Sequence, residues 1–158
     1  MEEVILSLRY TRYPNFAMLP EVDKQLITRA RKAVGMGYAP YSTFRVGAAV
    51  LLQNGMVITG NNQENAAYPS GQCAERTALF YAASQYPGVP ILAIAVSNYG
   101  QETSAMAKPC GACRQVMSEY EDLADQPLHI ILDGSDQIIV LEGIDNLLPL
   151  RFSRKDLI

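Results

Sequence analysis

The spacing of apolar residues first becomes helical at Pro20. Val22, Leu26, Ile27, Ala30, Ala33 and Val34 form one stripe, the mark of an amphipathic helix laid on a core. Pro20 suits a first turn, Glu21 and Asp23 favour its positive end, and Gly35 and Gly37 stop it. A helix over roughly residues 20–34 is predicted. Phe44–Gln53 carries apolar residues at both parities, as a strand covered on both faces does. Asn54-Gly55 then signals a tight hairpin, so Met56–Thr59 should return antiparallel. A polar loop, 60–72, leads into a helix from Cys73 to Gln85. Ile91–Val96 reads as a buried strand, Gly111–Glu121 as a helix and Leu128–Leu132 as a strand. Asp133-Gly134-Ser135-Asp136 is too short for a parallel crossover, so Gln137–Leu141 should return antiparallel.

The order α-β-β-α-β-α-β-β predicts an α/β fold, a mixed five-stranded sheet sandwiched by helices. No repeat, linker or low-complexity tract divides it. Residues 1–18 show no clear period and read as an N-terminal extension to a domain spanning 19–158, with Tyr10, Tyr13 and Phe16 available to pack on the body or on a neighbouring subunit.

Composition narrows the function. The 158 residues suffice for one domain with a real core. A net charge of −3 and a pI of 5.1 disfavour a nucleic-acid partner, which requires clustered Lys and Arg. No stretch approaches the ~20 apolar residues of a membrane span. The acids Glu2 and Glu3 stand where a signal peptide would be basic, so a cytoplasmic location is expected.

Three cysteines, an odd number, make a poor disulfide framework and direct attention to metal or catalysis. Cys73, Cys110 and Cys113 all fall at predicted helix starts, where free N–H groups and the helix dipole favour thiolate. Three thiolates leave the fourth tetrahedral position of a zinc ion for water, as in catalytic sites. Glu75 stands on the same first turn as Cys73, placed to move protons without ligating. By spacing alone, Cys110-x-x-Cys113 also suits a redox pair, and a lone cysteine a small buried hydrophobe. His129, the single histidine, lies in a strand pattern and reads as structural.

Cys73-Ala74-Glu75-Arg76 followed by Pro109-Cys110-Gly111-Ala112-Cys113-Arg114-Gln115 resembles the signature of cytidine deaminases, in the three-cysteine variant of the zinc-deaminase pattern. Tyr41-Ser42-x-Phe44-x-Val46-Gly47-Ala48, Glu64-Asn65-Ala66-Ala67-Tyr68 and Leu147-Leu148-Pro149 fall in the family's order, and the resemblance spans about residues 19–153. It implies the family's three-layer α/β/α fold, one Zn2+ per chain on Cys73, Cys110 and Cys113, Glu75 as proton shuttle, and hydrolysis of free cytidine and deoxycytidine. It also implies that Phe44 stacks on the pyrimidine and that Asn62 and Glu64 bind the ribose 3′-hydroxyl. Ala66, Tyr68 and Ala74 help form the nucleoside pocket, and Phe152 corresponds to a terminal aromatic that reaches another subunit's site. The three-cysteine form resembles the small homotetrameric branch, with active sites shared between chains.

Zinc with three thiolates carries a net −1 charge and is a weakened Lewis acid. Bringing its water from a pKa of about 9 to about 7 takes roughly 2.7 kcal/mol, of which two helix ends supply roughly 0.3–1 kcal/mol each. Arg76 is the candidate to offset the rest by donating to the thiolates, as the resemblance also implies. Rival readings are a deaminase of another small cytosine compound such as blasticidin S, which Asn62 and Glu64 disfavour; a nucleic-acid deaminase, which pI and Glu64 disfavour; and a non-catalytic zinc assembly module, which Glu75 disfavours.

Overall fold

A computed structural model describes residues 1–101 and 105–157. Among them, strands β1 (Thr11–Tyr13), β2 (Gly47–Leu52), β3 (Val57–Asn61), β4 (Ile91–Ser97), β5 (His129–Asp133) and β6 (Ile138–Glu142) form one sheet in the order β1-β6-β5-β4-β2-β3. Only β4 and β5 pair in parallel, and α3 (Gly111–Ala124) forms the crossover between them. The other pairs are antiparallel. Helix α1 (Glu21–Val34) covers one face, through Leu26, Ile27 and Ala30 against Ala49, Ala93, Ala95 and Ile131. Helix α2 (Ala74–Gln85) and α3 cover the other, where Ala78, Leu79, Ala82 and Met117 meet Val50, Ile94, Val96 and Ile130. This is the expected three-layer α/β/α arrangement.

The sheet has six strands, not the five expected. Thr11–Tyr13 pairs with Ile138–Val140 of β6 and covers an edge that would otherwise stand open. Three residues are too few to show a period, so the segment is not legible from its own sequence. The strand expected over 44–53 begins only at Gly47. Before it, the Asn62 side chain takes the backbone's hydrogen bonds, accepting from Val46 N–H and donating to Phe44 C=O, both at 2.8 Å. Both hairpins form as expected, the first with Gly55 at φ +83°. Helix α3 runs three residues past Glu121, to Ala124.

Small residues set the spacing between layers. Ala74, Ala78 and Ala82 form a fully buried stripe on α2. A methyl group at Gly60 of β3 would lie 2.5 Å from Ala78 N and 2.7 Å from Ala74 O. The helix therefore rests its backbone on the strand, and its first turn, beginning at Cys73, is located by that contact. His129 bridges the layers, with Nε2 3.0 Å from Asp23 Oδ1 on α1 and Nδ1 against Glu142 on β6, which is the structural place its strand pattern implied.

Candidate active site

The polypeptide brings three sulfurs together at two helix N-termini. Cys73 is the N-cap of α2, Cys110 is the N-cap of α3, and Cys113 lies in the first turn of α3. Their sulfurs lie within 4.8 Å of one another. The Cys110 and Cys113 sulfurs are 3.5 Å apart, beyond the ~2.05 Å of a disulfide. Cys113 is buried, Cys73 half-buried and Cys110 exposed, so the cluster opens to one side.

Electrostatics show what the cluster lacks by itself. The Cys113 thiol, then Arg76 and Cys110, draw Cys73 down to about 5 despite its burial. Cys113 is pushed the other way by its hydrogen bond to Cys73, by burial and by the charge on Glu75. Cys73 and Cys113 thus oppose each other's ionisation, and a cation among the sulfurs would favour thiolate over thiol. A soft divalent ion with tetrahedral preference meets that need, and zinc with three sulfur ligands fits the donor set. Arg76 donates through Nη2 to Cys73 Sγ at 3.9 Å. Its Nε is buried with no hydrogen-bond partner among the described residues, leaving a donor in reserve beside the sulfurs.

Glu75 is 4% exposed. Burial pushes its carboxyl up from the ordinary range and the Cys73 charge adds to this, while its own backbone N–H, the Cys113 thiol and Arg76 act in the opposite direction. A carboxyl raised in this way holds and releases a proton nearer neutral pH than an exposed one does.

A cleft of about 570 Å³ is lined by Ala39, Ser42, Thr43, Phe44, Arg45, Gly100 and Gln101. Of the residues expected to contact substrate, Phe44 stands in this wall. Asn62 and Glu64 stand behind it and organise the loop that carries it. Glu64 accepts from the N–H groups of Tyr41 at 2.9 Å and Ser42 at 3.2 Å, and from the Ser42 hydroxyl. These bonds, the hydroxyl's first, hold its carboxyl below the usual range. Ser42 also accepts from Phe44 N–H at 3.0 Å. Its part in holding the loop was missed in the sequence, although it sits inside the Tyr41-Ser42-x-Phe44 motif. Ala74 is fully buried at the start of α2. Ala66, Tyr68 and Phe152 are exposed, the last two at 91% and 62%, and none of the three lines the cleft that contains Phe44. Gln115 anchors the tail by donating to Phe152 C=O at 2.7 Å.

A three-sulfur centre on paired helix N-termini, with a buried carboxyl two residues past one ligand, defines a zinc-dependent enzyme of the α/β/α class. Residues 20–124 match the family model for the cytidine and deoxycytidylate deaminase zinc-binding region. A cytidine deaminase of Halalkalibacterium halodurans is 44% identical over 138 residues, 86% of this chain and 98% of the relative. One from Mycobacterium tuberculosis is 40% identical over 115 residues, covering 70% and 83%. The crystal structure of cytidine deaminase from Burkholderia pseudomallei superposes with a TM-score of 0.70 at 44% identity, covering 81% of this chain and 97% of that one. The chain belongs to the cytidine and deoxycytidylate deaminase family. It carries that family's zinc-binding region, with one zinc site per chain.

Proposed function

We propose that this enzyme hydrolyses free cytidine and deoxycytidine to uridine and deoxyuridine with release of ammonia, a pyrimidine salvage reaction. The observation that carries the reading is the three-sulfur cluster with Glu75 buried beside it. Bound zinc supplies Lewis-acid activation that makes a water nucleophilic near neutral pH. Cys73, Cys110 and Cys113 hold the metal, and Arg76 relieves the excess negative charge of the thiolates. Glu75 takes a proton from the attacking water and delivers it to N3 of the base. As the C4–oxygen bond forms and the C4–nitrogen bond breaks, Glu75 passes the second proton to the leaving amine. The products are the uracil nucleoside and ammonia, so atoms and charge balance.

Phe44 stacks on the base from the wall of the cleft. Asn62 keeps one Nδ2 hydrogen for the ribose 3′-hydroxyl, and Glu64 keeps a lone pair. In a polynucleotide that hydroxyl is esterified and has no proton to donate, which favours a free nucleoside over a strand. Ala66, Tyr68 and Phe152 serve neighbouring sites in a homotetramer. Their exposure in one chain is what such sharing requires, and Phe80 and Tyr81 of α2 are exposed as well. Residues 19–158 form the deaminase domain and 1–18 an extension tied on through β1. Three reduced cysteines suit a cytoplasmic location, and no described helix is long and apolar enough to cross a membrane.

An ultraviolet absorbance assay with cytidine, deoxycytidine, cytidine monophosphate and single-stranded DNA tests the reading. Turnover of the two nucleosides alone is expected. Glu75→Ala should lower it by at least ~10²-fold with zinc retained. A folded, zinc-loaded wild type that leaves both nucleosides unchanged would refute the substrate, and zinc loss in folded Glu75→Ala would refute the role of Glu75.

A further inference from the structure

The loop after β4 leads from the sheet to Cys110, and its first residues build one wall of the cleft that contains Phe44. Gly100 and Gln101 line that cleft. Gln101 Oε1 accepts the backbone N–H of Arg45 at 3.1 Å, one residue past Phe44. Gly100 is exposed and Gln101 only half-buried, so local packing does little to hold them there.

The restraint comes from the α1 side of the sheet. Asp133, the last residue of β5, is fully buried and accepts from Arg31 Nε at 2.8 Å, Arg31 Nη2 at 2.7 Å and the Ser97 hydroxyl at 2.6 Å. A two-pronged bond of this kind fixes the plane of the guanidinium. That plane lies against two rings, with the Phe16 centroid at 4.6 Å and the Tyr99 centroid at 3.9 Å. The Tyr99 N–H also donates to Ser97 Oγ at 3.1 Å. Ring and backbone of Tyr99 therefore both end on the cluster centred on Asp133. Asn98 ties the base of the loop, donating to Ala105 C=O at 2.6 Å and accepting from Ala107 N–H at 3.1 Å.

We infer that Arg31 and Tyr99 are positioning residues for substrate binding: the Asp133–Arg31–Tyr99 clamp holds Gly100 and Gln101 against the Phe44 segment and so sets affinity for the nucleoside. Phe16, from the N-terminal extension, supports the outer side of the clamp. The proposal rests on the deaminase reading for the identity of the ligand but not for the clamp itself.

Tyr99→Ala removes the ring, whereas Tyr99→Phe keeps it. The clamp predicts a roughly tenfold higher KM for cytidine in Tyr99→Ala with kcat unchanged, full zinc content, and wild-type KM restored in Tyr99→Phe. Arg31→Lys, which loses both fork and stacking plane, should behave like Tyr99→Ala. Amide hydrogen exchange at Arg45 and Gln101, whose N–H groups donate to Gln101 Oε1 at 3.1 Å and to Asn98 C=O at 3.4 Å, reads the clamp without turnover and should quicken in Tyr99→Ala and Arg31→Lys but not in Tyr99→Phe. A wild type inactive on cytidine would therefore refute the substrate while exchange still decides whether the clamp exists. Unchanged exchange in Tyr99→Ala overturns the inference. So does faster exchange with an unchanged KM, or a change confined to melting temperature, because the clamp would then be structural only.

Discussion

Gly60 offers a sharp test of how the sheet places the metal centre. It lies thirteen residues before Cys73, yet its missing side chain sets the height of α2 above β3. The Cβ of Gly60→Ala would meet Ala78 N at 2.5 Å and Ala74 O at 2.7 Å, both backbone atoms that no rotamer change can move aside. Restoring ordinary contact, about 3.5 Å, requires the start of α2 to lift by roughly 1 Å. Ligand distances in a metal site tolerate only about 0.2 Å, so Cys73 leaves the reach of an ion held by Cys110 and Cys113. Overpacking of this kind costs about 1–3 kcal/mol, and in a domain of this size 2 kcal/mol lowers the melting temperature by roughly 4–8 °C. The assay is a thermal melt together with zinc quantitation after dialysis, alongside Gly35→Ala. Gly35 has ordinary φ, and its added Cβ would meet only Lys32 O at 3.8 Å, so that variant should match wild type. The expected result for Gly60→Ala is a lower melting temperature and less than one zinc per chain. A variant that melts within 1 °C of wild type, as a neutral surface change would, and keeps full zinc would refute the claim that this contact locates the ligand.

Cys110→Ser should lose zinc, and chelation of wild type should lower its melting temperature in a way that zinc restores and magnesium, an oxygen-seeking ion, does not; equal rescue by magnesium would count against a thiolate site. Asp133→Ala leaves Arg31 without its carboxylate at a fully buried position and should cost about 3 kcal/mol, or roughly 9 °C, measured by denaturant and thermal unfolding; a loss under 0.5 kcal/mol would show that the pair is not held as described. Glu64 has its folded-state pKa depressed, first by the Ser42 hydroxyl, so its bonds to the Tyr41–Ser42 loop are complete above the unfolded value and are lost only as pH falls through the lower folded one. Exchange at the Tyr41 and Ser42 amides, corrected for intrinsic rates, should therefore stay protected from pH 7 down to roughly 5, and opening between pH 7 and 6 would contradict the assignment.

The family was legible in the linear chain because its signature rests on local patterns. Cys110-x-x-Cys113 at a helix start orients both sulfurs within one turn, and Cys73-x-Glu75 sets a carboxyl beside a third. The strands and both hairpins could be read from apolar runs and from turn residues such as Asn54-Gly55, whose conformational demands are met within four residues. What the tertiary structure decided depends on partners far apart in sequence. Thr11–Tyr13 becomes a strand only because β6 presents an open edge. Phe44–Val46 stays outside β2 because Asn62, sixteen residues past Val46, takes its hydrogen bonds. Glu64 turns out to hold the Phe44 loop from behind, a role that depends on the position of Ser42. Arg31 and Asp133, 102 residues apart, form a charge pair that no spacing rule connects. Short-range geometry is encoded in neighbouring residues, whereas the choice of hydrogen-bond and charge partners is made only when the sheet brings distant segments into contact.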